Sequence, residues 1–126
     1  MKIRIISLPQ RDDRREAFVE NNGKFLEGHD WEFMPGVEGR KLNHQRIKEI
    51  GFDTCKTWRD PVLDRTLTIG EVGCFLSHWK LWEFCEEIKE PLLILEDDTI
   101  LLGSPEDSDI KSDITYLTYK EMLPEG

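Results

Sequence analysis

The sequence predicts an α/β sandwich with a mostly parallel sheet, built as one domain over residues 1–126. An isoleucine-rich segment from Lys2 to Leu8 ends at Pro9, and a second unbroken apolar run, Leu92-Leu93-Ile94-Leu95, has the length of a strand. Between them lie stretches with helical spacing of apolar residues. Strands covered on both faces read as continuous apolar runs, and their alternation with helices is the pattern of a parallel sheet. A chain of 126 residues has the size of one domain and can bury a core without disulfides.

Lys2 to Leu8 is expected to be a central strand. Asp12-Asp13 then offer capping oxygens to a helix over Arg14–Asn22, with Ala17 and Phe18 inward and Gly23 as its stop. Trp31–Met34 reads as a second strand, broken by Pro35-Gly36 and Gly39. Asn43 can cap a short helix over His44–Ile50, which Gly51 ends, and residues 52–66 read as a loop holding one short element.

Thr68-Ile69-Gly70-Glu71 has the form of a capping box. The helix it opens spaces Val72, Phe75, Trp79, Trp82, Cys85 and Ile88 as one apolar stripe. That stripe assigns Trp79 and Trp82 to the core rather than to stacking on a sugar, and Cys74 and Cys85 read as small core side chains. After the Leu92–Leu95 strand, Gly103–Ser112 reads as a solvated loop and Ile114–Tyr119 as a weakly alternating last strand.

The net charge of −9, from 26 acids against 17 bases, argues against nucleic acid and anionic membrane surfaces as partners. A divalent cation placed between protein and ligand would still let so acidic a chain hold a diphosphate. The 3 cysteines, an odd number without metal-ligand spacing, favour a reducing compartment. No signal peptide fits the first residues, and no apolar run reaches the ~20 residues of a membrane span. A cytoplasmic location is expected.

The chemistry concentrates at Glu96-Asp97-Asp98, directly after a hydrophobic strand. Crowded carboxylates repel one another and cost stability unless a cation neutralises them, and oxygen donors suit Mg²⁺ and Mn²⁺. Ligands of open α/β sheets bind beyond the carboxyl ends of the strands. The triplet therefore reads either as a metal and anion site or as a solvated loop. On the long helix, Gly73, Ser77 and Leu81 stand four apart, a spacing that permits close approach to a backbone or ligand. His78 lies off the apolar stripe, as a structural group or as a reach toward a phosphate or carboxylate. Arg11, Arg14 and Arg15 follow the first strand and open a helix, where free backbone N–H groups also favour anions; Asp-Arg pairs on an exposed helix start are the alternative.

Leu67-Thr68-Ile69-Gly70-Glu71-Val72-Gly73-Cys74-Phe75-Leu76-Ser77-His78, followed by Leu93-Ile94-Leu95-Glu96-Asp97-Asp98, resembles the signature of family 25 glycosyltransferases, the lipooligosaccharide- and collagen-type galactosyltransferases. Ile5-Ile6-Ser7-Leu8 with Asp13-Arg14 is similar to the family's first strand and its Asp-Arg step, and Pro35-Gly36-Val37-Glu38-Gly39 to its second-strand turn. Pro9-Gln10 and Glu38 depart from the family pattern, which has a polar pair and an aspartate there.

The resemblance implies a GT-A-like (Rossmann-like) α/β/α sandwich, cut short after the acidic metal motif. It implies a UDP-sugar donor, most often UDP-galactose, and Mn²⁺ or Mg²⁺ held by Glu96 and Asp98. Asp97 would lie near the donor ribose or sugar and is the candidate catalytic base by proximity. Arg11 and Arg14 would lie near the nucleotide, Glu38 near the base, and Ser77 and His78 at the donor pocket, with Leu8, Val37 and Gly39 completing the donor contacts. The implied activity is metal-dependent transfer of a hexose to a glycan or other hydroxyl acceptor, as in lipopolysaccharide biosynthesis, with self-association as one way to complete the site. The alternative is a non-catalytic nucleotide-sugar-binding remnant or subunit lacking the acceptor half. A metal-dependent phosphohydrolase is a weaker third reading, since no nucleophilic Asp with partner Lys and Ser/Thr is evident.

Overall fold

The computed structural model describes residues 1–42, 45, 49, 61–62 and 68–117. Its elements run β1 (Lys2–Ser7), α1 (Asp12–Leu26), β2 (Asp30–Pro35), a 3₁₀ turn (Gly39–Lys41), α2 (Ile69–Ile88), β3 (Leu92–Glu96) and a second 3₁₀ turn (Asp107–Asp109). The three strands form one open sheet in the order β2-β1-β3. Both pairings are parallel, with Ile6 opposite Met34 on one side and Glu96 on the other. This is the expected mixed α/β, Rossmann-like arrangement, with the isoleucine-rich segment at its centre. Among the described residues, no helix is long and apolar enough to cross a membrane.

Alternation along β1 divides the packing. Ile3 and Ile5 point to one face and are fully buried with Phe18 and Leu26 of α1, and Trp31, Phe33, Leu93 and Leu95 pack around them. Arg4 points to the other face, where its guanidinium bonds the Asp30 carbonyl at 3.0 Å, pairs with Glu32 at 3.2 Å and lies 5.5 Å from the Phe84 ring of α2. A cation in a central strand is tolerable only with such pairing, because an unpaired buried charge costs several kcal/mol or more.

Helix α1 differs from expectation at both ends. Its N-cap is Arg11, without a side-chain cap bond, and Asp12 and Asp13 lie in the first turn, where acids complement the helix dipole. The helix continues through Gly23 to Leu26, because Phe18, Asn22 and Leu26 form its buried face at four-residue spacing. Ala17, expected inward, is exposed. The turn into β2 is made instead by Gly28, whose φ of 81° is a left-handed conformation that glycine adopts without steric cost. Asn22 is fully buried, and its amide donates to the Thr99 carbonyl at 2.9 Å and accepts from Leu101 N–H at 2.7 Å.

The capping box at Thr68 and Glu71 is present as expected. The inward face of α2, however, is Val72, Gly73, Leu76, Ser77 and Leu81. Phe75, Trp79 and Trp82, expected in the core, are 36%, 42% and 50% exposed and pack edge-to-face, with the Phe75 ring centroid 5.8 Å from each tryptophan. The reason lies in Gly73. A Cβ there would come within 2.7 Å of the Val37 carbonyl oxygen and 2.9 Å of Gly39 N, so α2 and the 37–39 backbone touch directly. Only the small-residue face permits that approach, and the bulky stripe is turned outward. Cys74 is exposed and Cys85 only partly buried, so neither is the core side chain expected.

The expected last strand does not form over residues 114–117, and positions 118–119 lie outside the described residues. Thr115 Oγ1 instead accepts from the backbone N–H groups of Lys111 and Ser112, a local turn that competes with strand pairing. The helix expected over 44–50 falls outside the described residues except for Gln45 and Glu49, which are helical. The loop expected over 52–66 likewise falls outside them, except for a turn at Pro61 and Val62.

Gly73→Ala should therefore destabilise the fold by about 1–3 kcal/mol in denaturant titration, since the intruding methyl meets backbone rather than a movable side chain. Gly70→Ala is the control, because its nearest contact would be Thr68 Oγ1 at 3.8 Å, and it should cost less than Gly73→Ala. Equal costs would remove the close approach as the cause.

Candidate functional site

Parallel pairing brings the carboxyl ends of all three strands to one edge of the sheet. There Ser7 ends β1, Pro35 ends β2 and Glu96 ends β3. Asp97 follows immediately and turns inward, its side chain only 10% exposed. Ser7 Oγ donates to Asp97 Oδ2 at 2.9 Å, and Arg14 Nη1 reaches Asp97 Oδ1 at 3.2 Å. Both carboxylate oxygens are thus engaged, one by the central strand and one by the first turns of α1. Thr99 N–H bonds the Glu96 carbonyl at 3.0 Å, so residues 96–99 make a tight turn. This turn displays Glu96 and Asp98 outward, both exposed. Asp98 makes no hydrogen bond or ion pair among the described residues.

The arginines divide their work. Arg15 donates to Ser7 Oγ at 3.2 Å, to the Leu8 carbonyl at 2.7 Å and to the Pro9 carbonyl at 2.9 Å, and also pairs with Asp12, fixing the β1–α1 turn. Arg14 faces the acidic tip. Arg11 is locked to Asp13 by a two-pronged contact of 2.9 and 2.8 Å, which pulls the Asp13 carboxyl down to about 2. The same contact, with the Asp13 charge, raises the Arg11 guanidinium.

The 37–39 segment and α2 form the opposite wall. Ser77 is buried, donates to the Gly73 carbonyl at 2.8 Å and accepts from Val37 N–H at 2.8 Å, so its hydroxyl holds the segment rather than facing outward. Glu38 accepts from Gln10 Nε2 at 3.2 Å and pairs with Lys41 at 3.3 Å, joining this wall to the β1–α1 turn. Gly39 lies against the Ile69 carbonyl, where a Cβ would fall within 2.2 Å. His78 Nε2 stands 3.8 Å from Glu96 Oε1, and Cys74 Sγ donates to the same oxygen at 3.4 Å. Partial burial first, then the hydrogen bond to Glu96 and the charges of Glu96 and Asp98, push the Cys74 thiol above its ordinary range.

The residues singled out in the sequence therefore gather around one edge, in two groups. Leu8, Arg14 and Asp97 surround the end of β1. Val37, Glu38, Gly39, Ser77 and His78 line the far side, and Glu96 and Asp98 project between. Arg11 belongs to the start of α1 and faces Asp13. The sequence reading missed Ser7, which holds Asp97, and Cys74, which holds Glu96. The second had a visible signal: Cys74 and His78 are one helical turn apart and so share a face.

Oxygen donors from Glu96 and Asp98 on an exposed turn, with Asp97 already neutralised by Arg14, fit a hard dication such as Mn²⁺ or Mg²⁺. Among the described residues the Asp98 carboxylate has no hydrogen-bond or ion-pair partner, which favours this fit.

Residues 1–122 match the family model described as glycosyltransferase family 25 (LPS biosynthesis protein). A glycosyltransferase 25 family member of Aedes aegypti is 39% identical over 97 residues, covering 76% of this chain and 16% of its own length. The human inactive glycosyltransferase 25 family member 3 is 35% identical over 136 aligned positions, covering 96% of this chain and 22% of its own. Human procollagen galactosyltransferase 2 is 34% identical over 98 residues, covering 77% of this chain and 15% of its own. The chain thus spans less than a quarter of the length of these relatives.

The Arg11–Asp13 contact gives a pH prediction. A depressed carboxyl adds stability that is present above its unfolded value of 3.8 and is lost as pH falls toward about 2. In Arg11→Ala, the Asp13 carboxyl should titrate near its ordinary value in an NMR pH series. An Asp13 already titrating near 4 in the unaltered chain would contradict the pairing.

Proposed function

The chain belongs to glycosyltransferase family 25, and from that premise we propose that it is the nucleotide-sugar-binding part of a metal-dependent transferase moving a hexose from a UDP-sugar to a hydroxyl acceptor. The observation that carries this reading is the inward-turned Asp97, clamped by Ser7 and Arg14, which leaves Glu96 and Asp98 displayed together at the carboxyl edge of a parallel sheet. That edge is where open α/β sheets bind nucleotides. Galactose is the favoured sugar, since one relative is named a procollagen galactosyltransferase.

In this reading Glu96 and Asp98 hold the dication. Bound there, the ion would offset charge on the departing diphosphate. Arg14, which holds Asp97 in place, would add a guanidinium facing the same anion, with Asp97 bordering the donor sugar. Leu8, Val37, Glu38 and Gly39 line the donor's nucleotide side. Ser77 keeps the 37–39 wall at its distance, and His78 stands at the metal side of the pocket. The acceptor is a glycan or another hydroxyl compound. A general base must take the acceptor's proton.

A second reading is favoured by one observation: the human relative that matches 96% of this chain is named inactive. Under it the chain binds nucleotide sugar and transfers nothing.

UDP and Mn²⁺ together should raise the melting temperature, because a ligand at about 100 times its Kd adds roughly 2.7 kcal/mol to the folded state. Asp98→Ala should abolish the metal-dependent part of that shift. Its ligand-free melting temperature should hold, as Asp98 makes no hydrogen bond or ion pair among the described residues. A shift unchanged in Asp98→Ala would take that residue out of the site. Transfer or slow hydrolysis of UDP-galactose by the unaltered chain then separates the active reading from the inactive one.

A further inference from the structure

Cys74 and His78 project from the same face of α2, one turn apart, toward the end of β3. Glu96 meets them both. Its Oε1 lies 3.4 Å from Cys74 Sγ and 3.8 Å from His78 Nε2, and ligand atoms of the three residues all lie within 4.8 Å of one another. Tetrahedral zinc, with bonds of about 2.3 Å to sulfur and about 2.0–2.1 Å to nitrogen or oxygen, sets its ligand atoms roughly 3.3–3.6 Å apart. The two contacts to Glu96 already approach that figure. The remaining edge, between the sulfur and the imidazole nitrogen of the same helix, lies within 4.8 Å.

We propose that Cys74, His78 and Glu96 form a site for a borderline-soft dication, Zn²⁺ foremost, with three protein ligands and an open fourth position. This does not rest on nucleotide binding; it uses Glu96 Oε1, leaving Oε2 for the oxygen-only site proposed with Asp98, and differs from that site in chemistry. A thiolate and an imidazole select zinc or cobalt over magnesium, which prefers oxygen alone. The stems of both helical ligands are held firmly. Gly73, beside Cys74, is pressed on the 37–39 backbone, and Ser77, beside His78, is buried and bonded at both ends. Trp82 flanks the imidazole, with ring centroids 6.3 Å apart. On binding, the Cys74 thiol gives its proton to water as the sulfur–metal bond replaces the S–H···O bond to Glu96.

The test is a Co²⁺ titration of the full, metal-free chain kept reduced with a non-thiol reductant. We expect a near-ultraviolet sulfur-to-cobalt band and tetrahedral visible bands that saturate at about one equivalent. Zn²⁺ should bleach them, and a hundredfold excess of Mg²⁺ should not. Cys74→Ser should remove the near-ultraviolet band while circular dichroism stays unchanged, and His78→Gln should weaken cobalt binding at least about tenfold. A variant that misfolds is bypassed in the unaltered chain, where Zn²⁺ should protect Cys74 but not Cys85 from alkylation, read by peptide mass. The proposal falls if no charge-transfer band forms, if the band survives in Cys74→Ser, if Mg²⁺ displaces cobalt as readily as Zn²⁺ does, or if zinc leaves Cys74 unprotected.

Discussion

A single carboxylate turned toward the protein organises the carboxyl edge of the sheet. Asp97 is reached by a hydroxyl from the central strand and by a guanidinium from the helix after it, so three separate stretches of chain meet at one side chain. Charge-assisted hydrogen bonds of this kind are stronger than neutral ones; the one from Ser7 is sheltered, whereas the Arg14 side chain, 45% exposed, leaves its pair open to solvent screening. The orientation of the neighbouring acids follows. With Asp97 fixed inward, Glu96 and Asp98 on either side of it stay exposed on the 96–99 turn. Arg15 supports the arrangement from behind by holding both Ser7 and the carbonyls of the β1–α1 turn.

The second wall of the site is set by the absence of side chains. Gly73 and Gly39 have no Cβ, and α2 rests on backbone at a distance no larger residue would allow. Ser77 completes that contact by giving Val37 N–H a partner, which a buried donor requires. One helical face is thereby assigned to close packing. The adjoining face, with Cys74 and His78, is carried over the end of β3. Packing and chemistry are thus coupled along α2 by single-residue steps: Gly73 packs and Cys74 projects, Ser77 packs and His78 projects.

Much of this was legible in the sequence, and the failures have physical causes. The two isoleucine- and leucine-rich runs identified β1 and β3 because continuous apolar segments have few other uses in a small α/β chain. The capping box located the start of α2 to the residue. The apolar stripe of that helix misled, because periodicity counts hydrophobicity and cannot weigh how near a neighbouring backbone must come. Two faces of α2 satisfy a helical pattern, and Gly73 decides between them through a contact made in three dimensions. Gly23 misled in the same way: a glycine commonly ends a helix, yet here the pairing of Asn22 with Thr99 and Leu101 rewards continuing past it. The acidic triplet was visible as a cluster, but its division into one inward and two outward groups depended on Ser7, a partner 90 positions away.

That separation has a meaning for how the molecule comes together. The β1-α1-β2 unit closes over short stretches, with Arg4 meeting Asp30 only 26 positions on. Docking β3 beside β1 requires closing a far longer loop, a step whose entropy cost grows slowly with length but which topology makes slow. Each feature of the candidate site that involves Glu96 or Asp97 exists only once that step is complete. The first strand, first helix and second strand by themselves hold none of the contacts made by Glu96 or Asp97, so any ligand recognition at that edge would certify that the longest-range pairing has been made.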